Sequence, residues 1–155
     1  MTPDDLMRRA IALSLDSVRT GGGPFGAVIA RDGEIVAEGV NRVTVAHDPT
    51  AHAEIVAIRA ACTALGSFSL AGCEIYTSCE PCPMCLGAIY WARLVRIQYA
   101  NDRVDAARVG FDDEFVYREF AVPVAARAIP TTRLLAAEAR AAFEAWTAKP
   151  DKATY

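Results

Sequence analysis

The amino-acid sequence predicts an α/β fold, in which a mixed sheet carries helices on its faces. Two patterns predict it. After residue 50, helical and strand-like segments alternate, as strands linked by helical crossovers require. Before that, Asp32-Gly33 sits between two apolar runs, a strong hairpin signal, and adds an antiparallel pair to the sheet.

The elements follow in order. Thr2-Pro3-Asp4-Asp5 reads as a helix start, with Thr2 as N-cap and Pro3 in the first helical position. Leu6, Ala10, Leu13 and Ser17 then recur at helical spacing, as do Met7, Ile11 and Val18. Gly21-Gly22-Gly23-Pro24 ends that helix. Residues 25–31 and 34–39 are the two hairpin strands, and residues 41–50 a loop closed by Asp48-Pro49-Thr50. A helix over 51–65 precedes a short buried strand over 74–77. A helix over 83–91 and a strand over 94–99 come next. Residues 102–120 are polar and mixed, a helix and a loop. Ala128-Ile129 reads as a fifth strand at the sheet edge before Pro130, and 133–148 as a final Ala-rich helix before the tail 149–155.

A chain of 155 residues, 53% apolar, fits one domain (1–155) with a sizeable core. Charged residues make up 23%, near the globular average, which argues against disorder. The net charge of −3 points to a small, weakly charged substrate and away from nucleic acid, whose binders carry basic patches. No apolar run has the length to cross a bilayer, so no membrane partner is expected. The acidic start Met1-Thr2-Pro3-Asp4-Asp5 lacks the features of a secretory signal, which predicts a cytoplasmic protein. Five cysteines without an export signal argue for metal or catalytic use and against a disulfide framework.

The chemistry concentrates in His52-Ala53-Glu54 and Pro81-Cys82-Pro83-Met84-Cys85. Zinc takes imidazole nitrogen and thiolate sulfur, and a catalytic zinc has three protein ligands and one open position for water. His52, Cys82 and Cys85 supply three. Cys82 and Cys85 lie three apart at a helix start, where both can face one ion and the helix end favours the thiolate form. Two thiolates neutralise the dication, so such a centre acidifies its water less than a three-histidine site, where the pKa falls to about 7. A strong base beside the water is then needed, and Glu54 is the candidate. H-x-E with P-C-x-x-C is the signature of zinc deaminases. Cys79 extends the run to C-x-x-C-x-x-C, which is like part of an iron–sulfur motif, but the fourth cysteine at the required spacing is missing. As a fourth zinc ligand Cys79 would close the shell and make the site structural. Cys62 and Cys73 sit in apolar surroundings and read as core, and His47 as a loop residue.

On these motifs the chain resembles the zinc-dependent cytidine/deoxycytidylate deaminase superfamily and, within it, bacterial guanine deaminases. The likeness is densest at residues 23–28, 48–54 and 76–93, with more at Ala106-Ala107, at Gly110-Phe111-Asp112-Asp113 and at the terminal Tyr155. It implies a cytidine deaminase-like, three-layer α/β/α fold, here with five strands in the sheet, one zinc ion per chain, and a homodimer. It also implies C-terminal segments exchanged between subunits, residues 152–155 reaching over the partner's active site. By the same likeness Asn41 would hydrogen-bond a purine, and Phe25, Ala53 and Trp91 would line its pocket. Asp113, or Asp112 in its place, would accept protons from the guanine edge, and Tyr155 would close the site.

The expected reaction is hydrolytic deamination of guanine to xanthine and ammonia by a zinc-activated water, Glu54 acting as base and acid in turn. Two enzyme readings share the centre: a tRNA adenosine deaminase, and a deaminase of cytosine or an ammeline-type triazine. A basic tRNA-binding surface would be needed for the first. Pocket shape decides the second. A third, non-enzymatic reading as a structural zinc module leaves Glu54 unexplained, because structural zinc needs no base.

Overall fold

The computed structural model describes all 155 residues and divides into two compact units, Met1–Asp113 and Glu114–Tyr155. The first opens with α1 (Pro3–Arg19), started by a capping box in which Thr2 and Asp5 bond each other's backbone amides. Leu6, Ala10, Leu13 and Ser17 form its buried stripe. β1 (Gly26–Arg31) and β2 (Glu34–Val40) pair antiparallel across Asp32-Gly33. Both turn residues have positive φ, 51° and 80°, as the two-residue turn matched to strand twist requires, and Gly33 meets that demand without strain.

The expected loop at 41–50 contains a single helical turn, α2 (Val43–Ala46), ended by His47 in the left-handed region. α3 (Ala53–Leu65) begins two residues later than expected, with His52 as its N-cap. β3 (Glu74–Cys79) lies antiparallel to β1 and parallel to β4 (Arg96–Asn101), to which α4 (Pro83–Trp91) crosses over. β4 starts two residues late because Arg93 turns into the left-handed region. The next two amides still close the loop, Leu94 on Ile89 and Val95 on Cys73. α5 (Arg103–Arg108) follows.

The sheet order is β2-β1-β3-β4. Side chains of β1 alternate between its faces, as the strand period dictates. Val28 and Ala30, with Tyr76 of β3, pack under Leu6, Ala10 and Leu13 of α1. Ala27 and Ile29, with Ile75 of β3, pack under Ala53, Ala57 and Ala61 of α3 and Ile89 of α4. These are the three layers the resemblance implied. The sheet has four strands, not five. Ala128-Ile129 forms no strand, because the Ala128 amide is taken by Glu119 Oε2 at 2.8 Å and Pro130 has no amide to offer a ladder.

Gly39 of β2 positions the site directly. A Cβ there would collide with the Ala53 carbonyl oxygen and lie 2.6 Å from the Ala57 amide nitrogen. Its bare backbone lets the first turn of α3, and with it His52 and Glu54, press against the sheet.

In the second unit, α6 (Glu114–Ala121) is linked to the next stretch through Glu119, whose backbone oxygen accepts from Arg127 Nε. A 3-10 turn (Val124–Ala126) precedes α7 (Ala136–Ala148). α7 starts three residues later than expected because Leu135 has φ 48°. Lys152 Nζ reaches back to the Thr147 and Lys149 carbonyls at the end of α7. No helix of the chain is long and apolar enough to cross a membrane.

Candidate metal centre and its cavity

Two helix N-termini meet at one point. His52 and Cys82 are the N-cap residues of α3 and α4, both with extended backbone and neither using its side chain to cap. Pro83 starts α4 with preset φ and no amide to satisfy. Cys85 stands one turn on, fully buried. A turn delivers His52: the Asp48 carboxylate accepts from the amide and hydroxyl of Thr50 at 2.8 and 2.7 Å.

The ligand atoms of His52, Cys82 and Cys85 lie within 4.8 Å of one another. His52 Nδ1 is 3.5 Å from each sulfur. Zinc bonds of about 2.3 Å to sulfur and about 2.05 Å to nitrogen, at a tetrahedral angle, put sulfur about 3.6 Å from nitrogen. The donors therefore fit one zinc ion in both chemistry and spacing. A hydrogen bond from Cys85, then one with His52, holds the Cys82 thiol down to about 4. The bond to Cys82, then burial, pushes the Cys85 thiol up, and the hydrogen bond to Cys82 raises the His52 imidazole. A zinc ion takes both cysteines as thiolates, so binding one here would release protons.

Cys79 is not in this group. Its thiol points to the Asp102 carbonyl oxygen at 3.7 Å, and burial pushes it up to about 11. The candidate metal group is therefore His52, Cys82 and Cys85.

Glu54, in the first turn of α3, is 7% exposed, and burial, the largest influence, raises its carboxyl. It opens on a cavity of about 630 Å³ together with His52 and Cys82. Asn41, just past β2 and 7% exposed, is on the same cavity. Its Oδ1 accepts from the amides of Gly23 and Val43, at 3.3 and 3.2 Å. Two backbone donors aimed at one atom assign that atom as oxygen and leave the Asn41 NH2 as its free donor.

Phe25, Asp112 and Asp113 also border the cavity. Burial, then the Cys82 charge, raises the Asp113 carboxyl. Ala53, the first residue of α3 and expected on the pocket, is not one of its walls: it is buried and packs in the core. Trp91, expected on the pocket, is not one of its walls and is 64% exposed. α4 turns Cys85 and Ile89 inward, and a residue two places past Ile89 points the other way. Tyr155 belongs to the second unit and is 75% exposed.

Several walls escaped sequence reasoning. Phe111 meets Phe25 edge-on, with centroids 4.9 Å apart and an 86° interplanar angle. Glu80, Arg103 and the Gly21-Gly22-Gly23 loop border the same space. The glycine run was a signal, but it read only as a helix stop. Phe111 lay inside a quoted motif without a role.

Comparison with known proteins agrees with this geometry. The family described as the cytidine and deoxycytidylate deaminase zinc-binding region matches residues 1–101. A guanine deaminase of Bacillus subtilis is 51% identical over the whole of both chains, and its crystal structure matches with a TM-score of 0.97, covering 100% of this chain and 99% of that one. A tRNA-specific adenosine deaminase of Agrobacterium fabrum is 49% identical over 49% of this chain and 50% of its own. The structure of a mutant protein in complex with 8-azaguanine matches with a TM-score of 0.70 at 34% identity, covering 72% of this chain and 65% of that one. By its sequence over residues 1–101 and its fold over the full length, the chain belongs to the cytidine and deoxycytidylate deaminase family, whose zinc its His-Cys-Cys group suits.

Proposed function

We propose that this chain is a guanine deaminase, hydrolysing guanine to xanthine and ammonia. One observation carries the substrate: 51% identity over the full length of both chains to the Bacillus guanine deaminase. The tRNA-specific adenosine deaminase relatives are less alike, from 49% identical over 49% of the chain to 35% over 71%, and the net charge of −3 does not favour a polyanion.

His52, Cys82 and Cys85 hold the zinc, which when bound supplies a Lewis acid that makes water nucleophilic at neutral pH. Glu54 takes the proton the attacking water gives up and passes it to the ring nitrogen beside C2, N3. It then takes the second proton of the water oxygen, now the hydroxyl on C2, and delivers it to the amine as the C2–N bond breaks, so that one carboxyl serves as base and acid. Burial suits it to both roles, because a raised carboxyl holds a proton more readily than an exposed one. The Asn41 NH2 donates to a purine acceptor, and Asp113, or Asp112, accepts from the N1–H and amino edge. Phe25 supplies an apolar wall.

In this reading the working unit is a homodimer. The exposed Tyr90 and Trp91 of α4 and Tyr99 of β4 provide apolar surface for a second copy to cover. Residues 152–155 are exchanged so that Tyr155 closes the partner's cavity, and Trp91 contributes from the assembled interface. Free cysteines, two of them metal ligands, suit the reducing cytoplasm.

The test is an ammonia-release screen of the zinc-loaded protein against guanine, guanosine, cytosine, cytidine, adenine, ammeline and tRNA. Guanine is expected to give the highest kcat/KM. A higher value for any of the others overturns the substrate assignment.

A further inference from the structure

One side of the cavity is metal-bound chemistry, and the other arrives from later in the chain. Phe111, Asp112 and Asp113 follow α5, a helix of six residues, too short to stand without support. That support is local and specific. The side chains of Asp102 and Asp105 cap each other's amides at 2.9 and 3.2 Å. The Arg103 amide, at the first helical position, is outside that exchange, and Glu80 Oε2 accepts it at 3.0 Å. Two further contacts join the same segments: the Glu80 amide to the Asn101 carbonyl at 2.8 Å, and the Cys79 thiol to the Asp102 carbonyl at 3.7 Å. From α5 the chain turns at once into the wall, the Phe111 amide bonding the Ala106 carbonyl at 3.0 Å before its ring meets Phe25.

Glu80 lies two residues before Cys82. Its carboxylate and the Cys79 thiol are the two side chains among these contacts that reach from the stretch before Cys82 to the start of α5, and of the two only the carboxylate bonds an amide of the helix. We propose that Glu80 is a positioning residue, which sets the register of the Phe111–Asp112–Asp113 wall against the metal centre and so governs substrate affinity without touching the reacting atoms. The proposal rests on the reading of this cavity as the guanine pocket.

Three variants separate this role from a general structural one. Glu80→Gln keeps an acceptor oxygen at the same reach, Glu80→Asp keeps the charge but withdraws it by one methylene, and Glu80→Ala removes the group. Loss of positioning raises KM for guanine about tenfold in the Ala and Asp variants with kcat within about threefold, because binding is lost more than chemistry. The Gln variant stays within about twofold of wild-type KM, since a neutral acceptor still satisfies the amide. Each variant retains one zinc per chain. Hydrogen exchange of peptides spanning 103–113 speeds up in the Ala and Asp variants, while that of α3 is unchanged.

Wild-type KM in the Asp variant, or a Gln variant as impaired as Ala, overturns the proposal, as does a defect that follows zinc loss. Should the Ala variant fail to fold, the contrast between Asp and Gln decides. If wild-type protein releases no ammonia from guanine, the functional reading fails, and the exchange contrast over 103–113 still tests Glu80 separately.

Discussion

Glu54 shows how much a single position can carry. It is buried beside two thiol ligands, and burial raises its carboxyl. Replacing it with Gln keeps the volume and removes the proton transfer. Glu54→Gln is expected to retain one zinc per chain by elemental analysis while kcat falls by about 100-fold or more, the usual worth of a general acid–base group. Turnover near wild type would remove Glu54 from the mechanism. The candidate metal donors and the carboxyl beside them were legible because the chemistry needs rare residue types at short spacings, His-x-Glu and Cys-x-x-Cys. Phe111 and Glu80 were not, because a phenylalanine or a glutamate acquires its meaning from a neighbour far away in the chain.

Elements place those residues. α3 can begin where it does because Gly39 lets the helix sit on the strand. Gly39→Ala forces the first turn of α3 outward, and is expected to cost about 1–3 kcal/mol in denaturant unfolding, as overpacking does. Because the same turn carries His52 and Glu54, activity should fall further than stability does. Unfolding free energy and kcat both at wild-type values would show that α3 does not rest on that close approach.

On the opposite face, Arg9 of α1 grips Glu38 of β2 with two bonds of 2.6 and 2.7 Å. The hydrogen bond from Arg9 holds the Glu38 carboxyl below its usual value. A depressed carboxyl contributes stability that is present above the unfolded pKa, about 4.3, and is lost as pH falls through the folded value. Both side chains are partly exposed, so Glu38→Gln should cost less than about 1 kcal/mol at pH 7. The difference from wild type should vanish in acid, below the depressed value. A difference that persisted there would point to packing and not to charge.

The helices and hairpin were readable because their apolar periods and caps are local. The fifth strand failed because its amide went to Glu119, a choice made nine residues away. The single turn of α2 and the break between α5 and α6 were blurred for a related reason. Helices of four to eight residues leave too few turns for a periodic signal.

At the scale of the whole molecule, the exposed apolar residues of α4 and β4 and the terminal segment belong to the homodimer proposal. Deleting residues 152–155 should lower kcat/KM for guanine by about tenfold or more while shifting the melting temperature by only a few degrees, as expected of a terminal segment outside the core. Light scattering of the variant should still report a dimer. An unchanged rate would remove the closing role of the tail.

Local chemistry sufficed for the fold class, the three side chains of the candidate metal group, the carboxyl of Glu54 on their cavity and the family resemblance, since residue type, caps and period are all properties of near neighbours in the chain. Only tertiary structure decided that Nδ1 of His52 faces the sulfurs, that Cys79 turns away to Asp102, that Trp91 points outward and that Phe111 completes the wall. Those outcomes depend on which surfaces meet when α3, α4 and α5 pack around one sheet. Packing couples residues dozens of positions apart, through contacts that no local pattern records.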